Sequence, residues 1–539
     1  MKRGIFLFLV CFCLVFSGVV GASEEKPRYG GTLVFGRGGD SVGLDPAFET
    51  DGNSFMVCDN VYEQLVAYAD ESTDIIPGLA ESWEISADGL TYTFHLRKGV
   101  KFHDGTDFNA DAVVFSLGRQ MKEKKVKFYK TQWEFPKDQP PPEYWLSMNM
   151  DDIIDSIEAV DEYTVVFKLK RPEAPFLANL GMDFASIVSP SAVLKYGPDF
   201  KSHPVGTGPF KFVKWIKDDR IILEANENYW DGRPYLDRVI FRVIPDNSVR
   251  FLELKTGNIH ICQFPNPEDI ALAKKDPNLK LVSQPGMNIG YISFNHTKPL
   301  WQDKRIRKAI AYAINRKAIV DNIYYGLGTV AKNTIPPIMW GYNDCIIDYP
   351  YDPEMAKKLL EEAKFFEKLK EAGQTKITLW SMPVPRPYNP NGMKVGEAVQ
   401  ADLKKVGIDV ELVTFEWGTY LKKQREQDPS MDLFQLGWTG DNGDPDNFLS
   451  ILLDGYADPN VRTQWKNLEY HEIITRARMT FDKEERIRLY KRAQEIIHEE
   501  VPLINVAHSL VIWPMQKKVM NYKLHPTGSV FLKRVWLAE

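Results

Sequence analysis

The stretch DKRIRKAIAYAINRKAIVDNIYYG, residues 303–326, predicts an amphipathic helix in the second half of the chain. Asp303 suits the N-cap position, because its carboxylate can accept hydrogen bonds from the first unpaired backbone N–H groups of a helix. Ile306 and Ile310 follow at helical spacing, and Gly326 is a residue at which a helix can end. One face of this helix is therefore expected to pack on a core.

A second amphipathic helix is predicted at KEERIRLYKRAQEIIHEE, residues 483–500, where apolar residues again recur on one face. Beyond about residue 285, strand-like segments alternate with helical ones of this kind. Such alternation is typical of α/β domains. The fold class predicted for this part of the chain is therefore α/β.

The preceding part of the chain, from residue 31 to about 230, instead shows short strands joined by turns. In SWEISADGLTYTFHLR, residues 82–97, the pair Asp88-Gly89 separates two strand-like arms and tolerates the positive φ of a tight turn. A second stretch with alternating apolar residues, DSIEAVDEYTVVFKLK at 155–170, turns at its centre in the same way. An antiparallel, mostly β domain is expected here.

The first 22 residues, MKRGIFLFLVCFCLVFSGVVGA, have the pattern of a secretory signal peptide. Lys2 and Arg3 precede an apolar run, and small residues lead up to Ala22, where cleavage is expected. The run is short for a bilayer-spanning helix, which needs about 20 apolar residues. The protein is therefore expected to be exported to the periplasm or another extracytoplasmic space.

Length, charge and cysteine content narrow the possible classes further. At 539 residues, the chain is expected to form two or three domains. The formal net charge of −6 would become about −8 once the leader is removed, which disfavours binding to nucleic acid. Cys58, Cys262 and Cys345 would remain; they lack zinc-site spacing and allow at most one disulfide.

Motifs of common enzyme classes are absent or incomplete in the sequence. The glycine-rich GRGGDSVG at residues 36–43 lacks the lysine of a P-loop, and the IIHEEVP segment has one histidine where zinc proteases have two. The sequence GDSVG formally matches a hydrolase nucleophile elbow around Ser41, but Pro46 stands where the following helix should grow. Ser41 is therefore interpreted as a polar loop residue, and no catalytic residue is assigned.

The loop LGWTGDNGDPDNF, residues 436–448, concentrates acidic and amide side chains. An EF-hand calcium loop starting at Asp441 would need glycine at its sixth position, where Asp446 stands. No metal site is therefore predicted. Asp444 and Asp446, on either side of a proline, are interpreted as turn formers.

Several segments resemble the extracytoplasmic solute-binding proteins of peptide ABC importers (family 5), and the similarity covers essentially all of the mature chain. The segments are AESWEISADGLTYTFHLRKGVKFHDG (80–105), RPEAPFLANLGMDFASIVSP (171–190), PVGTGPF (204–210), IPPIMWGYND (335–344), MPVPRPYNPNG (382–392) and the loop at 436–448. Within the family they are most similar to the members that bind dipeptides.

The resemblance implies a two-lobed fold of the periplasmic-binding-protein type (type II), with an extra mostly β domain in the first lobe. Ligand-binding domain I would combine residues 23–65, 200–285 and 515–539. Residues 66–199 would form the extra domain II, and residues 286–514 the α/β domain III. Ligand would be enclosed between the lobes, and the membrane permease would recognise the closed form.

The resemblance also implies roles for individual residues. Asp441 would bind the ammonium group of a dipeptide, and Arg386 would bind its terminal carboxylate. The other positions expected to contact or line the ligand site are Thr50, Gly52, Gly437, Trp438 and Tyr388. Without the resemblance, Arg386 would be interpreted as a solvated loop charge, and the two aromatic residues as core residues.

The predicted function is that of a monomeric, non-enzymatic receptor that captures dipeptides and delivers them to an ABC importer permease. No cofactor and no metal ion are expected. Alternatives within the family are longer peptides, glutathione, haem and nickel complexes. An alternative of another class is a peptide-processing enzyme or a chaperone.

Overall fold

The computed structural model describes residues 26–457 and 463–539. The predicted signal peptide, residues 1–22, lies outside the described residues. Within the described ranges, no helix combines the length and apolar character needed to cross a bilayer.

The described residues form strands and helices in a mixed order along the chain. The strands are β1 (Thr32–Arg37), β2 (Val66–Tyr68), β3 (Ile75–Pro77), β4 (Ala80–Ile85), β5 (Thr91–Leu96), β6 (Val126–Lys127), β7 (Ile154–Asp161), β8 (Thr164–Leu169), β9 (Phe210–Ile216), β10 (Arg220–Ala225), β11 (Arg238–Val243), β12 (Ile261–Cys262), β13 (Leu279–Pro285), β14 (Asn288–Phe294), β15 (Gly328–Val330), β16 (Ile377–Trp380), β17 (Val410–Val413), β18 (Leu433–Thr439), β19 (Leu503–Gln516), β20 (Val519–Met520) and β21 (Trp536–Leu537). The α-helices are α1 (Gly52–Val61), α2 (Ala110–Gly118), α3 (Glu143–Ser147), α4 (Met150–Ile153), α5 (Phe176–Leu180), α6 (Pro190–Tyr196), α7 (Asn247–Lys255), α8 (Pro267–Ala273), α9 (Lys304–Ala313), α10 (Arg316–Ile323), α11 (Pro353–Glu362), α12 (Phe365–Glu371), α13 (Gly392–Lys405), α14 (Trp417–Arg425), α15 (Asp446–Leu453), α16 (Leu468–Met479) and α17 (Lys483–Glu500). Short 3₁₀ helices occupy Asp183–Ala185, Gly197–Ser202 and Pro299–Gln302.

The long strand β19 links the two halves of the main sheet. Its first half pairs with β14 and β15, and its second half, from Leu510 onward, pairs antiparallel with β13. In one half of the sheet, β1 lies parallel to β11 and β12, and in the other half β16 lies parallel to β17 and β18. We name the half of the molecule with β14–β18 the second lobe (residues 286–509), and the remainder the first lobe.

Two chain crossings connect these lobes, and they lie side by side. One crossing joins β13 to β14 at Gly286, and the other is the middle of β19. The Gly286 N–H donates to the Ser509 carbonyl oxygen at 2.9 Å, and a Cβ at Gly286 would lie 2.6 Å from that oxygen. The predicted limit of domain III, residue 514, lies inside β19, a few residues after the strand changes partners.

Strand β14 forms the centre of the second lobe, and all its residues are buried. Ile289 and Tyr291 face one hydrophobic cluster, while Ile292 and Phe294 face another. This alternation follows from the two-residue period of a strand. A strand covered on both faces is typical of the α/β class predicted for this region, and that prediction is confirmed.

The predicted helix at residues 303–326 is two helices. Asp303 caps α9 as predicted, by accepting from the Arg305 N–H at 3.0 Å, but α9 ends at Ala313. The Asn315 side chain then caps α10 through the Ala318 N–H at 2.9 Å. The sequence interpretation missed this second cap. The helix predicted at residues 483–500 is confirmed as α17.

The extra sheet of the first lobe has the order β4-β5-β8-β7-β6. Its two predicted hairpins, β4 with β5 and β7 with β8, are confirmed. Gly89 has φ +69° in the first turn, as the Asp-Gly pair predicts. The three cysteines within the described ranges are free; Cys58 and Cys262 are buried and Cys345 is exposed.

Candidate ligand-binding site

The loop between β18 and α15 is organised by Asn447, which is only 2% exposed. The Asn447 Oδ1 accepts hydrogen bonds from the Asp441 backbone N–H at 3.0 Å and from Trp438 Nε1 at 2.9 Å. Its Nδ2 donates to Asp441 Oδ2 at 3.3 Å. One buried amide therefore fixes both the Asp441 carboxyl group and the Trp438 ring.

The Asp441 carboxyl group lies where the two lobes meet. Burial raises its pKa to about 7, although hydrogen bonds from Asn447 and Tyr144 lower the pKa in part. Tyr144 belongs to α3 in the first lobe, and Asp441 belongs to the second. Among the described residues, no lysine or arginine nitrogen forms an ion pair with Asp441 within 4 Å. The carboxylate therefore has no cationic partner from the part of the chain that the structure describes.

A cavity of about 100 Å³ extends from Asp441 into the first lobe. Asp59, Asp183 and Tyr68 also line it. Asp59 and Asp183 interact with each other, and burial raises the pKa of Asp59 to about 6 and that of Asp183 well above its ordinary value. The negative charges of Asp59 and Asp441 add to the effect of burial, so ionisation of Asp183 is disfavoured.

Asp444 and Asp446 do more than form a turn. Asp444 Oδ1 accepts from the Asp446 N–H at 3.0 Å, as expected for a turn, but it also accepts from Arg486 Nη2 at 2.8 Å. Asp446 Oδ2 lies 3.6 Å from Arg478 Nε. The interpretation of both residues as turn formers was therefore incomplete, because their arginine partners are distant in sequence.

Arg386 lies on an exposed turn of the second lobe. Its N–H and carbonyl group exchange hydrogen bonds with those of Asn389, each at 2.9 Å. The Asn389 side chain donates to Gln435 Oε1 on β18 at 3.0 Å, which anchors the turn to the sheet. The guanidinium group lies 5.5 Å from the Trp417 ring centroid, and it forms no ion pair within the described residues.

Tyr388 and Gly437 are in direct contact. The Tyr388 ring covers Gly437, and the hydroxyl of Tyr324 donates to the Tyr388 carbonyl oxygen at 2.8 Å. Tyr388 is only 9% exposed, so most of the side chain packs in the second lobe. Gly437 is therefore required for packing of the tyrosine ring, and this contact was not predicted from the sequence.

Gly437→Ala is expected to lower the free energy of unfolding by about 1–3 kcal/mol, the usual range for an overpacked site. A Cβ at this position would overlap the Tyr388 ring and lie 2.5 Å from the Ile289 carbonyl oxygen. Gly52→Ala is the matched control, because a Cβ there meets no atom within 4 Å. Urea unfolding of both variants measures the difference, and equal midpoints would contradict the packing argument.

Thr50 and Gly52 lie on the first lobe, on either side of the residue that caps α1. Both are exposed. The carboxylate of Asp51 accepts from the Asn53 N–H at 2.9 Å and from the Ser54 N–H at 3.3 Å, which fixes the start of the helix. The predicted site residues are thus divided between the lobes, with these two on one side and the other five on the other.

Three residues that interact with Asp441 were not predicted from the sequence: Asn447, Tyr144 and Asp183. Asn447 lies within the quoted loop and is the most predictable of them, since it follows a proline turn near the start of α15. Tyr144 and Asp183 lie hundreds of residues before Asp441, in stretches without a ligand-binding pattern. Only the tertiary structure brings them close to it.

The side chain of Ser41 is buried and hydrogen-bonded within the first lobe. Its hydroxyl donates to the Asn53 carbonyl oxygen at 3.1 Å and accepts from Arg37 Nη1 at 3.1 Å. The backbone N–H of Ser41 donates to Asp40 at 2.9 Å. These contacts hold the loop after β1, in keeping with its interpretation as a polar loop residue.

Comparison with known proteins identifies the family. Residues 74–460 match the family described as bacterial extracellular solute-binding proteins, family 5 Middle. The dipeptide-binding protein of Escherichia coli (strain K12) is 43% identical over 518 residues, which cover 94% of each chain. Heme-binding protein A of Haemophilus influenzae is 42% identical, over 94% of this chain and 92% of that protein.

A solved structure agrees with this assignment. It is that of the ABC transporter-associated periplasmic binding protein DppA from Helicobacter pylori in complex with the peptide STSA. The match has a TM-score of 0.80 at 38% identity, and covers 95% of this chain and 99% of that chain. The family resemblance and the fold predicted from the sequence are confirmed. The chain belongs to the bacterial extracellular solute-binding proteins of family 5.

Proposed function

We propose that this protein is an extracytoplasmic receptor that binds dipeptides between its two lobes and delivers them to the permease of an ABC importer. The observation that carries the proposal is the Asp441 carboxyl group, which lies at the lobe boundary without a cationic partner among the described residues. A ligand ammonium group would supply that charge. Arg386, also without an ion-pair partner in the described part of the chain, would bind the ligand carboxylate.

The charges of a dipeptide fit such a pair of groups. A dipeptide is a zwitterion whose terminal charges lie roughly 6–7 Å apart when it is extended. Burying either terminus without a partner would cost several kcal/mol, so fixed acidic and basic side chains select for both charge and length. Arginine suits the carboxylate, because its planar guanidinium group can form two parallel hydrogen bonds.

The contacts around this pair support further roles. Trp438 is held beside Asp441 by Asn447, and Tyr388 lies two residues from Arg386, so both aromatic rings are proposed to line the site. Thr50, Gly52 and Tyr144 would approach the ligand from the first lobe. Gly437, covered by the Tyr388 ring, would contribute chiefly by allowing that ring its position.

Closure of the lobes follows from the two crossings near Gly286 and Ser509. Only a closed arrangement brings groups of both lobes onto one ligand, so ligand would shift the population towards it. We place the boundaries of the lobes near these crossings, with residues 66–199 as an extra domain of the first lobe.

The names of relatives support peptides as the ligand class. The Escherichia coli relative is a dipeptide-binding protein, and the Helicobacter pylori structure contains a peptide. Haem is the second candidate ligand, because the Haemophilus influenzae relative is named a haem-binding protein at nearly the same identity. The proposal also includes export of the protein by the leader at residues 1–22. It further includes a monomeric state and binding of the ligand without turnover.

Isothermal titration of the mature protein, unfolded and refolded to remove bound ligand, tests the proposal. We expect saturable one-to-one binding of dipeptides, with no product detected by mass spectrometry. Tetrapeptides, glutathione and haemin are the comparison ligands. Failure to bind any dipeptide, or hydrolysis of a bound one, would overturn the proposed function, and tight binding of haemin alone would favour the second candidate.

A further inference from the structure

A second set of contacts joins the two lobes beside the loop that carries Asp441. We name these residues the lobe latch: Glu173 and Asn179 of the first lobe, and Asn442, Arg478 and Phe481 of the second. Glu173 and Asn179 lie between β8 and the end of α5. Arg478 lies in the last turn of α16, and Phe481 follows that helix.

An ion pair between Glu173 and Arg478 is the centre of the latch. Arg478 Nε lies 3.1 Å from Glu173 Oε1, and the two side chains are only 15% and 1% exposed, respectively. The same arginine accepts a hydrogen bond at its carbonyl oxygen from the Ala174 N–H, at 2.7 Å. Backbone and side chain of one residue thus both contact the opposite lobe.

The ion pair is also anchored within each lobe. In the first lobe, Arg171 Nε lies 3.3 Å from Glu173 Oε2, and the Tyr92 hydroxyl donates to the Glu173 carbonyl oxygen at 3.3 Å. In the second lobe, Arg478 also lies close to Asp446, which is the first residue of α15. Such support limits the side-chain entropy lost when the pair forms.

Two further contacts extend the latch on either side. Asn442 Nδ2 donates to Asn179 Oδ1 at 2.7 Å, and both side chains are buried. The Phe481 ring lies against Gly89 in the hairpin turn of the extra sheet, where any side chain would overlap it. The interface therefore includes an ion pair, a buried amide pair and an aromatic contact.

These contacts must break when the lobes separate. Each joins a residue of the first lobe to a residue of the second, and the chain crosses between the lobes only near Gly286 and Ser509 in the described residues. In an opened molecule, Glu173 would retain Arg171, while Asp446 and Arg478 would face water on the second lobe. The contacts therefore favour the closed arrangement by a free energy that does not require ligand.

We propose that the lobe latch, centred on the Glu173–Arg478 ion pair, stabilises the closed arrangement of the lobes independently of ligand. The loop between β18 and α15 couples the latch to the candidate ligand site. Within six residues this loop carries Asp441, then Asn442 bound to Asn179, and then Asp446 beside Arg478. The contacts of the lobe latch therefore form in the same step that places the loop carrying Asp441 against the first lobe.

The distance between the lobes in ligand-free protein tests the latch. Cys345 is an exposed thiol on the second lobe, whereas Cys58 and Cys262 are buried, so labels at Cys345 and at Lys168→Cys on the first lobe form a specific pair. With spin labels at these two positions, pulsed electron–electron double resonance measures the distribution of distances between them. We expect two populations in the otherwise unchanged protein, and about a tenfold lower closed-to-open ratio in Arg478→Gln.

The matched control is Arg476→Gln, two residues away. Arg476 pairs with Glu485 inside the second lobe and is largely exposed, so its loss should leave the closed-to-open ratio unchanged. Glu173→Gln and Asn179→Ala approach the latch from the first lobe and should also lower the ratio, which guards against a folding defect peculiar to Arg478→Gln. Urea unfolding confirms that each variant compared is folded.

The result is decisive in either direction. A fall in the closed population for the three latch variants, with no change for Arg476→Gln, supports the proposal. A single open population in the ligand-free protein, or equal ratios in Arg478→Gln and Arg476→Gln, would overturn it. Because no ligand is added, neither outcome depends on whether the protein binds dipeptides.

Discussion

Asp441→Asn is expected to weaken the binding of unblocked dipeptides by about 100-fold or more, equivalent to about 2.7 kcal/mol. The substitution keeps the size of the side chain and leaves an amide oxygen for Asn447 and Tyr144, but it removes the charge proposed to pair with the ammonium group. Loss of one partner of a buried ion pair typically costs about 3–5 kcal/mol. Isothermal titration of both proteins with the same dipeptide measures the change.

Two controls separate charge recognition from a folding defect. Asp409→Asn removes a carboxylate from an exposed position of the same lobe, and it should bind as the unchanged protein does. An N-acetylated dipeptide lacks the ammonium group and should bind equally weakly to Asp441→Asn and the unchanged protein. Equal affinities of the two proteins for the unblocked dipeptide would exclude Asp441 as the ammonium site.

The pH dependence of affinity provides an independent readout of Asp441. Its pKa is raised to about 7 in the ligand-free protein, so below pH 7 the carboxyl group is mostly protonated and must lose a proton to bind an ammonium group. Affinity is therefore expected to fall as the pH decreases from 7, approaching tenfold per pH unit. Asp441→Asn should lack this dependence. Tyr144 and Asp183 face the same carboxyl group; the charge of Asp441 raises the pKa of Tyr144, and burial raises that of Asp183, so ionisation of both is disfavoured.

The free energy of unfolding of the ligand-free protein should change with pH in the opposite direction to the affinity. A carboxyl group whose pKa is raised in the folded state binds its proton more tightly there than in the unfolded chain. The free energy of unfolding contributed by Asp441 therefore falls as the pH rises from about 4 to about 7. At pH 8 and without ligand, Asp441→Asn should be at least as stable as the unchanged protein. Such a result would show that weak binding does not arise from a damaged fold.

Arg386→Gln is expected to reduce affinity for unblocked dipeptides by roughly 30–100-fold, through loss of the proposed pair with the terminal carboxylate. Arg386→Lys should recover only part of the loss, because an ammonium group cannot form the paired hydrogen bonds of guanidinium. A C-amidated dipeptide should bind alike to Arg386→Gln and the unchanged protein. Titration with free and amidated forms of one dipeptide gives these comparisons.

The exposed position of Arg386 makes the result easy to interpret. Its guanidinium contacts are the Pro385 carbonyl oxygen and the Trp417 ring, so its substitution should change the free energy of unfolding by less than about 0.5 kcal/mol. Arg425→Gln, an exposed arginine of the same lobe, is the matched control and should bind normally. If Arg386→Gln still binds the free dipeptide more tightly than the C-amidated one, the carboxylate must bind at another site.

Local sequence signals predicted much of the secondary structure. The Asp88-Gly89 turn, the Asp303 cap and the helix at 483–500 were predictable, because each depends on side chains and backbone groups only a few residues apart. The division of residues 303–326 into two helices is also a local effect, but its signal is a single asparagine, Asn315, inside an otherwise continuous apolar pattern.

The sequence by itself determined the α/β class and, through segments such as 80–105 and 382–392, the family. It also indicated Asp441 and Arg386 as the charged candidates. Only the tertiary structure placed Tyr144 opposite Asp441, Arg478 against Glu173, and the Tyr388 ring over Gly437. Periodicity and capping report interactions between residues close in sequence, whereas these contacts join segments whose proximity depends on how the lobes fold and close together.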